Sequence, residues 1–106
     1  VTARRIFRLP FDPTAALTHT DLVRMIVQYL RTRQWFVVQT PRGGIAGVPG
    51  FPDVIAFKAS RVMLVEAKVG EDKLDYYQLR MKVSLECAGF AVIEARSLED
   101  VMDEGA

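Results

Sequence analysis

The sequence predicts an α/β protein in which helices flank a single mixed β-sheet. Three observations predict it. Residues 18–33 carry apolar side chains at helical spacing. Four short apolar runs, at 34–39, 54–58, 62–68 and 90–95, are too short for helices and end in Gly, Pro or polar turns. Two further helical stretches, at 73–88 and after Ser97, are interleaved with them, giving the order α-β-β-β-α-β-α. With 106 residues and half of them apolar, the chain is long enough for one domain with one core.

Each element follows from its own residues. In residues 1–17, Pro10 and Pro13 forbid a continuous helix. This stretch is read as an N-terminal arm or extension of the domain at 18–106. It stands open as a DNA-gripping arm carrying Arg4, Arg5 and Arg8, as an edge strand, or as a segment swapped between two copies. Leu22, Val23, Ile26, Val27 and Leu30 make one stripe of the first helix. Thr18 with Asp21 three residues on fits its N-cap. Trp35 to Val38 carry the first strand. Residues 40–52 hold four glycines and three prolines and form a loop. The loop lacks the Gly-Lys-Ser/Thr ending of a nucleotide-binding phosphate loop, but Arg42, Gly43 and Gly44 can still meet a phosphate through guanidinium and backbone N–H groups.

The runs 54–58 and 62–68 form a hairpin across Ala59-Ser60-Arg61. Leu74, Tyr77, Met81, Leu85 and Ala88 are the expected apolar face of the second helix, and Gly89 is its stop. Tyr76 and Tyr77 are also candidates to stack on bases, with Tyr77 expected in the core. Phe90 to Ala95 is the last strand. Ser97, with Asp100 three residues later, opens a short helix held by Leu98, Val101 and Met102.

Composition excludes several classes. One cysteine, Cys87, allows no intrachain disulfide and no multi-thiolate zinc site. One histidine leaves no His cluster. No apolar run approaches the roughly 20 residues of a membrane helix, and no hydrophobic region follows the basic start, so a cytoplasmic protein is expected. The net charge of +1 hides an asymmetry: residues 1–61 carry nine basic and three acidic residues, residues 62–106 five and ten. A basic half suits a phosphate-rich partner, unless the charges mix in space and merely solvate the surface.

The chemistry lies in Pro52-Asp53 and Glu66-Ala67-Lys68. Glu66 and Lys68 interrupt an otherwise apolar strand, and buried charge is costly unless compensated. Alternation puts Glu66 and Lys68 on one side of the strand. An antiparallel hairpin brings Asp53 near Glu66. Two such carboxylates repel unless a cation lies between them, and Mg²⁺ accepts one or two carboxylates with phosphate oxygens and water. The backbone carbonyl of Ala67, between the two functional side chains, is a further candidate ligand. Lys68 is placed to orient or deprotonate an attacking water and to offset charge on a pentacovalent phosphate. The bland alternative is a surface salt bridge between Glu66 and Lys68 with Asp53 capping a turn.

These motifs, with a helical Gln78, resemble the PD-(D/E)XK nuclease superfamily. The layout, from Gly47 to Asp53, Glu66 to Lys68, Lys73-Leu74 ahead of Gln78, Gly89 and the last strand, is most similar to the virus-type replication-repair nuclease (VRR-NUC) family. The resemblance spans roughly residues 18–103. It implies a restriction-endonuclease-like fold, Mg²⁺- or Mn²⁺-dependent DNA cleavage and a product with a 5′ phosphate. It further implies a homodimer acting on branched DNA in phage or prokaryotic replication, repair or recombination. It assigns Asp53, Glu66, Lys68 and Gln78 to catalysis, and Asp53 and Glu66 to the metal. The family usually has an acid near the start of the first helix; His19 stands there, with Asp21 two residues later, and either would complete the site. Two alternatives remain: an archaeal-type Holliday junction resolvase of the same superfamily, and a catalytically silent DNA-binding module that kept the fold.

Overall fold

The structure, a computed structural model, describes residues 17–105. The expected arm, with Arg4, Arg5 and Arg8, therefore lies outside the described residues apart from Leu17. Among the described residues the elements are α1 (His19–Thr32), β1 (Phe36–Gln39), β2 (Val54–Lys58), β3 (Arg61–Ala67), α2 (Tyr76–Cys87), β4 (Val92–Ala95) and α3 (Leu98–Met102). This is the predicted order. None of these helices is long and apolar enough to cross a membrane.

The sheet order is β1-β2-β3-β4. The first three strands are antiparallel neighbours, and β4 runs parallel to β3. The sheet is thus mixed, as expected, because α2 carries the chain back across the sheet between β3 and β4. Directly paired residues share a face. One face presents Val37, Ala56, Met63, Val65, Ala67 and Ala95, all buried, and α1 covers it with Leu22, Val23, Ile26, Val27 and Leu30. Val101 of α3 completes this core. The opposite face presents Phe36, Val38, Phe57 and Val62, all exposed, and then Leu64 and Glu66, both buried.

Local chemistry sets the ends of the elements. Thr18 and Asp21 form the reciprocal capping box of α1. Past Arg33 the chain turns left-handed at Gln34 (φ 69°), and the N–H of Trp35 donates to the Leu30 carbonyl while that of Gln34 donates to Arg31. That is a Schellman stop, with Trp35 and Leu30 as its buried apolar pair. The same pattern ends α2, where Gly89 takes φ 95° and Phe90 N–H donates to Leu85. The hairpin between β2 and β3 turns on Ala59 (φ 49°) and Ser60 (φ 66°). Positive φ at both central residues is the turn whose twist suits adjoining antiparallel strands.

The second helix departs from expectation. It starts at Tyr76, three residues later than predicted, because Asp75 caps it. Its expected apolar face is not buried: Tyr77 is 57% exposed, and none of its residues counts among the buried. The helix rests on the sheet edge beside β4, so periodicity there reported a shallow contact and not a core stripe. Strands β1 and β4 each begin two residues later than expected, and Lys68 falls just past the end of β3.

Candidate metal centre

Asp53 is the last residue before β2, and Ala67 is the last of β3. Their strands pair antiparallel, so these two ends meet. The Ala67 N–H donates to Asp53 Oδ2 at 2.8 Å, which fixes the carboxylate over the end of β3. From the other side Thr40 fixes the same dipeptide: its N–H donates to the Asp53 carbonyl at 2.8 Å, and its hydroxyl donates to the Pro52 carbonyl. The long loop between β1 and β2 is thereby pinned at its base.

Glu66 points from the face opposite α1 and is buried, with its side chain 4% exposed. Two groups meet its Oε2: Lys68 Nζ at 3.9 Å and Gln78 Nε2, which donates at 3.1 Å. Gln78 also serves its own helix, for its Oε1 accepts the Asp75 N–H while its N–H donates to Asp75 Oδ1. The Asp-x-x-Gln spacing at 75–78 is a capping-box signature that was available in the sequence. Burial pushes the Glu66 carboxyl up to about 8, reinforced by the negative charge of Asp53 and a hydrogen bond with it; the Lys68 ammonium opposes the shift. Near neutral pH, without a cation, Glu66 therefore keeps its proton.

His19, the first residue of α1, completes the cluster. Its Nε2 lies 3.1 Å from Asp53 Oδ2, with the imidazole 48% exposed. One ligand atom from each of His19, Asp53 and Glu66 falls within 4.8 Å of the others. Asp21 does not join them; its carboxylate caps α1 at Thr18. The donor set fits a divalent ion: two carboxylates compressed together, one of them held protonated, and an imidazole nitrogen. The Ala67 carbonyl belongs to the same strand end.

These groups open into one cleft of about 590 Å³, which Arg42, Gly43 and Gly44 also line. The sequence thus names residues from two loops and three elements that fold into a single concavity. Two contacts that shape it carry weaker signals. Gly50 takes φ 81° and packs so tightly on α2 that a Cβ would stand 2.3 Å from the Tyr77 carbonyl oxygen. Arg96, a residue without a motif, donates to the carbonyls of Gly70 and Asp72 and to Glu94 Oε1, tying down the loop after Lys68. Glu94 neighbours Glu66 in the parallel register, so this bond also neutralises a third carboxylate beside the site.

No curated protein matches the chain. A family model does: that of the archaeal Holliday junction resolvases (Hjc), over residues 20–84. The match runs from α1 into α2 and includes Asp53, Glu66, Lys68 and Gln78. It supports the PD-(D/E)XK resemblance and favours the resolvase alternative over the broader branched-DNA reading. The narrower likeness to VRR-NUC proteins is not what it reports.

Proposed function

The chain belongs to the archaeal Holliday junction resolvase family, and from that premise we propose that it is a metal-dependent DNA endonuclease that cleaves four-way junctions. The observation that carries the reading is the convergence of Asp53, Glu66 and His19 with Lys68 in one cleft. Fold alone would not carry it, since one fold hosts many activities.

Asp53 and Glu66 would hold the divalent ion, joined by His19 and the Ala67 carbonyl. When bound, such an ion acidifies water and polarises a phosphoryl oxygen. The chain's own residues do the rest. Asp53 is held in register by the Ala67 amide. Gln78 fixes one oxygen of Glu66, and so acts as a positioning residue. Lys68, its side chain only 13% exposed, puts a positive charge beside the carboxylates. There it orients the attacking water and opposes charge growing on the phosphate. Arg42 and the backbone at Gly43 and Gly44 line the same cleft, where a phosphodiester backbone would lie.

A junction has two-fold symmetry and needs two matched cuts, whereas each chain brings one such cleft. The reading therefore includes a homodimer, with the two clefts related by a two-fold axis. Among the described residues, the exposed Phe36, Val38, Phe57 and Val62 on the sheet face opposite α1 supply an apolar surface for it.

The test is cleavage of synthetic four-way, flap and linear DNA with Mg²⁺ or Mn²⁺. Paired, symmetric nicks in the four-way substrate are expected, abolished by EDTA and by Asp53→Asn. Cutting that persists in EDTA, or in Asp53→Asn, overturns the mechanism; salt-sensitive binding without cutting under either ion identifies a silent binding module instead.

A further inference from the structure

We propose that His19 makes this site selective for a first-row transition ion, Mn²⁺ or one of its heavier neighbours, over Mg²⁺. The inference rests on the metal-dependent reading above and specifies the ion. Mg²⁺ is a hard cation that takes oxygen ligands and gives up its water reluctantly. Imidazole nitrogen is a softer donor, and its affinity for divalent ions rises along the first transition row. An all-oxygen cluster discriminates less between these ions, and His19 is the nitrogen donor in the group.

The geometry accommodates ligation as well as a hydrogen bond between His19 and Asp53, and one ligand atom of Glu66 lies within 4.8 Å of both. His19 Nε2 and Asp53 Oδ2 are 3.1 Å apart. That is the spacing of two adjacent ligands around one ion with bonds of about 2.1–2.2 Å. His19 is also fixed from its own side. As the first residue of a 14-residue helix, inside the capping box that Thr18 and Asp21 close, it has a set backbone direction. It reaches Asp53 from 34 residues away, so the contact is made by the fold and not by neighbouring chain. A ligating nitrogen must be free of its proton, so imidazole binding through Nε2 leaves the proton on Nδ1.

Metal binding to the whole, metal-free chain tests this without reference to cleavage. The wild type, titrated separately with Mn²⁺ and Mg²⁺ by calorimetry, is compared with His19→Glu, which makes the donor set all oxygen. The expected result is a loss of about tenfold in the ratio of Mn²⁺ to Mg²⁺ affinity. Bound Mn²⁺ is also read by electron spin echo spectroscopy, where a coordinated imidazole gives a nitrogen modulation. That modulation is expected in the wild type and absent from His19→Glu, with circular dichroism confirming that the variant is folded. Mn²⁺ that binds and is lost in Asp53→Asn but shows no nitrogen modulation overturns this proposal while leaving the metal-dependent reading intact. An unchanged affinity ratio in His19→Glu does the same. Failure of either ion to bind the wild type overturns both.

Discussion

Glu66 shows at the scale of one residue how the proposed site trades stability for chemistry. Its carboxyl, pushed up to about 8, titrates near its ordinary 4.5 once the chain unfolds. The metal-free folded state therefore holds a proton that the unfolded state has lost between those two values. Below pH 4.5 both states are protonated and the fold keeps its full stability from this group. As pH rises through 8 that stability is lost, on the order of 2–4 kcal/mol. Urea unfolding in EDTA should thus give a lower midpoint at pH 9 than at pH 5, and Glu66→Gln should flatten the difference. A wild type whose metal-free stability rises from pH 5 to 9 would contradict this account of Glu66. Gly50 gives a second prediction at this scale. With φ 81° and the Tyr77 carbonyl 2.3 Å from where a Cβ would stand, Gly50→Ala must push α2 away. A loss of about 2 kcal/mol or more is expected by thermal unfolding. Because Gln78 sits in the first turn of that helix, cleavage should fall beyond what the stability loss explains.

At the scale of elements, the turns tell most. The β2–β3 hairpin places non-glycine residues, Ala59 and Ser60, at positive φ. Asn and Gly occupy these positions with less strain. The double change Ala59→Asn, Ser60→Gly should raise stability by about 1 kcal/mol, read as a higher unfolding temperature, with no effect on DNA cleavage since the turn is at the far end of both strands from Asp53 and Ala67. A lower unfolding temperature would mean that the turn is held by something other than local backbone preference. Element ends were also where the sequence was most and least legible. Gly89 and the Thr18–Asp21 pair announced their caps. Gln34, a residue with no turn reputation, stops α1 because Trp35 and Leu30 pack across it, a pairing that only the core enforces. The start of α2 was misplaced because Lys73 and Leu74 suit a helix as well as any residue; the Asp75–Gln78 box decides it.

At the scale of the whole molecule, α1 covers one sheet face, and among the described residues the other face is exposed at Phe36, Val38, Phe57 and Val62 while Leu64 and Glu66 on it are buried. Phe36 is 69% exposed and lies tilted against Phe57 at a centroid distance of 6.3 Å, on a strip that continues through Val38 and Val62. An exposed apolar strip of this kind marks an association surface, and the proposed homodimer would use it. Phe36→Asp is expected to shift the mass in sedimentation equilibrium from dimer to monomer while leaving the fold intact, because the ring makes no part of the core. Paired junction cuts should then become single, unlinked nicks. A wild type that is monomeric at all accessible concentrations would remove the dimer from the functional reading.

The sequence by itself determined the element order, the core stripe of α1 and the mixed α/β architecture, and it singled out Asp53, Glu66 and Lys68 as charges beside apolar runs. Each of these is written in local terms: spacing along a helix, alternation along a strand, a charge where an apolar residue belongs. Only the tertiary structure decided which side chains share the cleft. In the sequence His19 stood at the family's position with Asp21 as its substitute, and they separate because a capping box engages Asp21 while the first turn of α1 carries His19 to Asp53. Gly50 against Tyr77 and Arg96 over the loop at 70–72 were likewise invisible, since neither has a local pattern. Contacts between distant residues depend on how helices and strands pack, and packing is a property of the assembled core that no short stretch of chain encodes.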